Sequence, residues 1–183
     1  MRPKNNLTVM INLINLFREL WQEHIFWTRN FIISTVSELD DLEFVTNRLL
    51  RNPTDFANIL KLYYGNEKAR KFETLFREHL TIAGSLVNHA KAGDIEAANE
   101  DRRNWYKNAD EIVAFLASIN PYWDMRKFQT LFHHHLKMTE DEAMFRLNGK
   151  YAQDIINFDV IQAEALKMAD IMSCGIIDQF YSK

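Results

Sequence analysis

Apolar residues recur along this chain at steps of three and four, and no stretch of useful length alternates with period two. That periodicity marks amphipathic helices sharing a core. The first stripe, Met10, Leu13, Phe17, Trp21, His24, Trp27 and Phe31, predicts one long helix over residues 7–37. A second helix is expected after Asp40-Asp41-Leu42-Glu43, which fits a capping box with Asp40 as the acceptor. Asn52-Pro53 interrupts it, with Asn52 as cap and Pro53 opening a restart that ends near Gly65. Phe72, Leu75, Phe76, His79, Ala83, Leu86 and Ala90 mark the next helix, from an Asn66 cap to a stop at Gly93. Asp94 opens a fourth helix through Ile95, Ala98, Trp105, Ala109, Ile112 and Leu116, closed by Asn120-Pro121. Asp124 opens a fifth through Phe128, Leu131, Phe132 and His135. Thr139-Glu140-Asp141-Glu142 reads as a further capping box, so a break near Thr139 and a short helix to Leu147 are expected. Asn148-Gly149 ends it, and a last helix carries Ile155, Phe158, Ala165, Met168 and Met172.

Within these stripes one motif occurs three times. Phe17, Leu20, Trp21, His24 and Ile25 match Phe72, Leu75, Phe76, His79 and Leu80, then Phe128, Leu131, Phe132, His135 and Leu136, at offsets of 55 and 56 residues. Such self-similarity points to a repeated structural unit. The expected fold is all-α: an up-and-down bundle of about six long helices built from three pseudo-repeated hairpins. It forms one domain over 1–183, with pseudo-repeats at approximately 7–65, 66–120 and 121–183.

Each copy contributes one histidine, and the turns set its height. At about 1.5 Å per residue, the legs running up to and back from each turn nearly cancel. His24 then lies level with Asp55 and His79 with Asp110, both 31 residues apart, while His135 and Asp170 are 35 apart. His24, His79, His135, Asp55, Asp110 and Asp170 are therefore the candidate site, a layer of imidazoles and carboxylates. These donors suit iron, zinc or manganese, held between helices. The alternative is that the pairs only satisfy buried polar groups and stabilise a structural or protein-interaction bundle, with a homo-oligomer or a protein partner left open. The Glu-x-x-His pattern of di-iron bundles is missing, since Trp21, Phe76 and Phe132 stand three before the histidines. His–Asp acid–base catalysis finds no nucleophile in a recognisable setting, so the leaning is away from an enzyme. His133, His134 and His135 point in different directions on a helix and do not chelate together.

Composition narrows the setting. The chain has 183 residues, 22 basic and 25 acidic, for a net charge of −3, and no basic stripe that would suit nucleic acid. A lone Cys174 makes an intrachain disulfide impossible and fits a reducing compartment. Arg2-Pro3-Lys4 before an apolar stretch superficially resembles a signal peptide, but Asn12 and Asn15 interrupt the run and no small-residue cleavage site follows. No run of about 18 apolar residues occurs, so no membrane span is expected and a cytoplasmic protein is the reading.

Three segments carry a resemblance: Leu20-Trp21-Gln22-Glu23-His24-Ile25-Phe26-Trp27-Thr28-Arg29, Arg48-Leu49-Leu50-Arg51-Asn52-Pro53-Thr54-Asp55-Phe56-Ala57 and Asn108-Ala109-Asp110-Glu111-Ile112-Val113-Ala114-Phe115-Leu116. Over nearly its whole length the chain resembles a family of small helical proteins of spore-forming Bacillus- and Clostridium-type bacteria, often labelled acetylglutamate kinase. The resemblance implies no established activity, site or cofactor. The kinase label conflicts with these residues. Gly65, Gly84, Gly93, Gly149 and Gly175 are scattered, whereas a phosphate-cradling loop needs clustered glycines after a strand.

Overall fold

The computed structural model describes residues 4–182 and is helical throughout, with no strand among the described residues. Arg2 and Pro3 of the signal-like start lie outside them. The elements are α1 (Lys4–Ser37), α2 (Leu42–Leu49), α3 (Asn52–Ala92), α4 (Ile95–Ile119), α5 (Met125–Leu147) and α6 (Tyr151–Phe180). α1 packs on α2 and α3, α3 on α4, and α5 on α6; α4 against α5 and α1 against α6 close the bundle.

Local chemistry ends most helices where the pattern expects. Gly93 adopts φ 74°, and the N–H groups of Gly93 and Asp94 return to Ala90 and His89. Only the absence of a Cβ makes that left-handed conformation inexpensive. Asp94 accepts from the Ala97 N–H at 3.0 Å and Asp124 from the Lys127 N–H at 2.9 Å, both as N-caps. The expected break at Gly65 is a kink instead of an end: α3 continues through it with Gly65 at φ 81°.

Three local expectations fail. Asp41, not Asp40, precedes α2 and makes no side-chain cap. Asn52 lies inside the first turn of α3, and its side chain turns into the core. α5 runs unbroken past Thr139, whose hydroxyl donates to the His135 carbonyl one turn back at 2.9 Å. A Thr-x-x-Glu pattern caps only where the backbone is free to leave the helix, and packing on α6 and α4 keeps α5 helical here.

The core is rich in rings. Phe17, Trp21, Phe56, Phe76, Phe128 and Phe132 are all essentially inaccessible, each stabilising by roughly 1.5–3 kcal/mol through burial. A smaller cluster around Phe31, Ile32, Val45 and Leu49 sits under α2. Trp123 from the α4–α5 turn is also buried, its indole N–H donating to the Ile171 carbonyl at 3.1 Å, and it packs so closely on Gly175 that a Cβ there would overlap it. Ile95, the first residue of α4, and Ile155, next to the buried Asp154 on α6, both read as core positions, are exposed.

Candidate histidine layer in the bundle core

The three repeated histidines converge. His24, His79 and His135 are all buried, at 2–3% exposure. The His24 and His135 ring centroids lie 5.7 Å apart. Phe76 stacks between His24 and His79, 5.2 Å from the first and 6.1 Å from the second. Phe132 stands edge-on between His79, at 5.2 Å, and His135, at 6.5 Å. Trp21 packs on both His24 and His135, and Trp105 on His79. The F-x-x-L-[WF]-x-x-H motif thus builds the layer: the aromatic residue three before each histidine lies one turn away on the same face.

Asparagines hold two of these rings. His24 Nδ1 lies 3.3 Å from Asn52 Oδ1, and Asn52 Nδ2 donates to the Leu20 carbonyl at 3.1 Å. His79 Nδ1 lies 2.9 Å from Asn108 Oδ1, and Asn108 Nδ2 donates to the Leu75 carbonyl at 3.1 Å. Each carbonyl belongs to the residue four before the histidine. A carbonyl only accepts, so it fixes the amide nitrogen on its side and turns the carboxamide oxygen toward the ring. That oxygen also only accepts, so Nδ1 must carry the proton and Nε2 the lone pair. Neither Nε2 has a hydrogen-bond partner among the described residues.

Burial keeps the layer neutral. It is the main cause that lowers His24, His79 and His135 to about 3, and the neighbouring imidazoles add to it: His79 acts on His24, His135 on His79, and His24 on His135. A second charge in this small volume would face both desolvation and repulsion.

The third copy departs from the pattern. His135 Nδ1 is enclosed and has no partner. The adjacent His134, on the surface, takes a 2.7 Å contact from Nδ1 to Glu164 Oε1, while Glu164 Oε2 is enclosed and unpartnered. The three candidate aspartates are not in the layer. Asp55 pairs with Arg51 at 3.1 Å, Asp110 accepts from Gln129 and His133 at 2.7 Å each, and Asp170 forms a two-pronged pair with Arg18 at 2.7 and 2.9 Å. Height alone placed them, and the direction of each side chain decided otherwise: all three point to the flanks, toward Arg51, toward Gln129 and His133, and toward Arg18. Asn52 and Asn108 are the partners that the sequence reading missed. Their signal was present as asparagines 28 and 29 residues after the first two histidines.

A second polar cluster lies further along α1. Arg29 donates to Glu142 at 2.5 Å and to both oxygens of Asp154 at 2.8 and 2.9 Å, while Arg146 reaches Asp154 at 3.2 Å. Burial raises Glu142 to about 7 against the pull of Arg29. These groups satisfy one another and leave no open coordination. An apolar cavity of about 40 Å³ shares Trp105 with the histidine layer and is also walled by Ile32, Leu80, Leu86 and Val87.

No group of three or more His, Cys, Asp or Glu side chains among the described residues stands in a metal-holding arrangement as the rings now lie. No helix among them is long and apolar enough to cross a membrane. No family model matches the chain, and neither a curated protein nor a solved structure matches it.

Proposed function

We propose that the bundle binds one divalent transition-metal ion through ring nitrogens of His24, His79 and His135. One observation carries this reading: each of three buried imidazoles in one layer keeps a ring nitrogen without a hydrogen-bond partner. Of these nitrogens His135 Nδ1 is fully enclosed, and enclosing a polar group without a partner costs about 1–3 kcal/mol that an apolar side chain in the same space would not incur. A metal-ligating imidazole has the same form as His24 and His79: neutral, its N–H held by an oxygen acceptor, its other nitrogen bare. Nitrogen donors favour zinc or iron; manganese, which prefers oxygen, suits the layer less well now that the aspartates lie outside it. The rings must turn inward by side-chain rotation to meet an ion.

A structural bundle is the second reading, favoured by the ring packing that each histidine makes with Trp21, Phe76, Trp105 or Phe132. On either reading we infer a cytoplasmic protein, in keeping with the single free Cys174, and no acetylglutamate kinase activity, in keeping with the scattered glycines.

The deciding experiment is elemental analysis of tagless protein purified without chelator, in a background where the half-buried His133 and the exposed His134 are replaced by alanine. Near-stoichiometric zinc or iron that is lost in His79→Gln, with the variant still helical by circular dichroism, supports the metal layer. Protein that stays metal-free after incubation with zinc and ferrous iron sinks it and leaves the structural reading.

A further inference from the structure

The first two hairpins follow one rule that the third breaks. In each, a carboxamide 28 or 29 residues after the histidine accepts from Nδ1 and is anchored to the preceding turn. In hairpin three the residue 29 after His135 is Glu164. Its height is right: 13 residues separate His135 from Asn148, and 15 separate Gly149 from Glu164, so the two legs cancel to within about 3 Å at 1.5 Å per residue. Its surroundings are right as well. Glu164 is 5% exposed and its Oε1 already contacts the residue next to His135. Two enclosed atoms in this hairpin lack partners, Glu164 Oε2 and His135 Nδ1. One is an acceptor only, and the other is a donor in the tautomer that His24 and His79 adopt.

We propose that Glu164 is the third hairpin's counterpart of Asn52 and Asn108, a positioning residue for His135. When a cation occupies the layer, the carboxylate leaves His134 and accepts the Nδ1–H of His135, which turns Nε2 to the ion. All three histidines then present the same nitrogen. The site gains one negative charge beside three neutral rings, which offsets part of the cation's charge and makes His135 the most basic ligand. In the metal-free protein the carboxylate stays with His134 through Oε1, and its Oε2 is enclosed without a partner. The trigger in this proposal rests on the metal reading; the pairing of Glu164 with His135 does not.

The test follows the ring nitrogens of ¹⁵N-labelled protein by long-range proton–nitrogen NMR, with and without one equivalent of Zn²⁺. Wild type with Zn²⁺ is expected to show His135 protonated at Nδ1. Glu164→Gln keeps an oxygen acceptor, so it retains that tautomer but binds Zn²⁺ about 10-fold or more weakly. Glu164→Leu loses both. A His135 signal and a Zn²⁺ affinity unchanged in Glu164→Leu overturn the proposal. Should wild type take up no Zn²⁺, the metal reading alone falls, and metal-free His134→Ala decides the pairing. With its outer partner gone, Glu164 must turn to His135 and fix its Nδ1–H; a His135 ring indifferent to the change overturns the assignment.

Discussion

Hairpins two and three place equivalent histidines in one layer and treat them differently. His79 is held by Asn108 at 2.9 Å, and Asn108 is itself anchored to Leu75. His135 has no such partner at Nδ1, and the residue at the matching position, Glu164, is buried and contacts the exposed His134 instead. The contrast follows from charge. A neutral carboxamide can be enclosed once its hydrogen bonds are made, whereas an enclosed carboxylate needs a cation or strong donors. The layer therefore contains two histidines held by carboxamides and one whose Nδ1 has no partner.

The strongest way to stress all three positions together is acid. Their pKa values are lowered from 6.5 to about 3 in the fold, so between those values the unfolded chain binds more protons than the native one. Stability is then lost as pH falls through this window, by about 1.4 kcal/mol per histidine per pH unit, or roughly 2 kcal/mol each at pH 5. Glu142 acts with the opposite sign. Raised to about 7, it favours the fold when protonated, and its contribution declines as pH rises from 4.5 toward 7. Urea unfolding in the presence of chelator should show the midpoint falling steeply from pH 6.5 to 5, and more steeply in Glu142→Gln. A flat profile would contradict the neutral layer.

The next largest effect is expected away from the layer, where charge is enclosed and fully paired. Arg29→Met leaves Glu142 and Asp154 without their shared cation and should cost about 3–5 kcal/mol in urea unfolding at pH 7. Replacing Arg29, Glu142 and Asp154 together with apolar residues of similar volume should recover most of that loss.

Within the layer, Asn108→Ala strands the His79 N–H and should cost about 2 kcal/mol. Glu164→Leu in metal-free protein removes an enclosed, unpartnered oxygen and only one contact to an exposed histidine, so its change should stay below about 1 kcal/mol. Equal losses at the two positions would erase the distinction between the held histidine and the unpartnered one. Gly65→Ala should cost about 1–3 kcal/mol in urea unfolding, from the backbone at the α3 kink (φ 81°, ψ 172°) that glycine alone adopts readily, since nothing there stands in the way of a Cβ.

Helical periodicity and turn residues carried most of the architecture. Gly93, Asp94, Asp124 and Asn148-Gly149 punctuate the chain because their roles are local and depend on a few neighbouring backbone groups. Where a residue has two uses, local reading chose the wrong one. Asn52 before Pro53 reads as a cap, yet the long-range bond to His24 takes its side chain; Thr139 opens an apparent capping box, yet packing keeps it mid-helix. The histidines were legible because a triplicated motif puts them on one stripe. Their partners were not, because height along a helix follows from counting residues, while side-chain direction needs the position of the neighbouring helix. Asp55, Asp110 and Asp170 met the first condition only. The Arg29, Glu142 and Asp154 cluster joins segments more than 100 residues apart and had no local signal.

The most direct test of the account is anomalous diffraction at the zinc edge from crystals grown with one equivalent of Zn²⁺. The account predicts a single strong peak in the core, bonded to Nε2 of His24 and His79 and to a ring nitrogen of His135. Peaks confined to His133 and His134, outside the layer, or no peak at all, would contradict it and leave the histidine layer as a device of the fold.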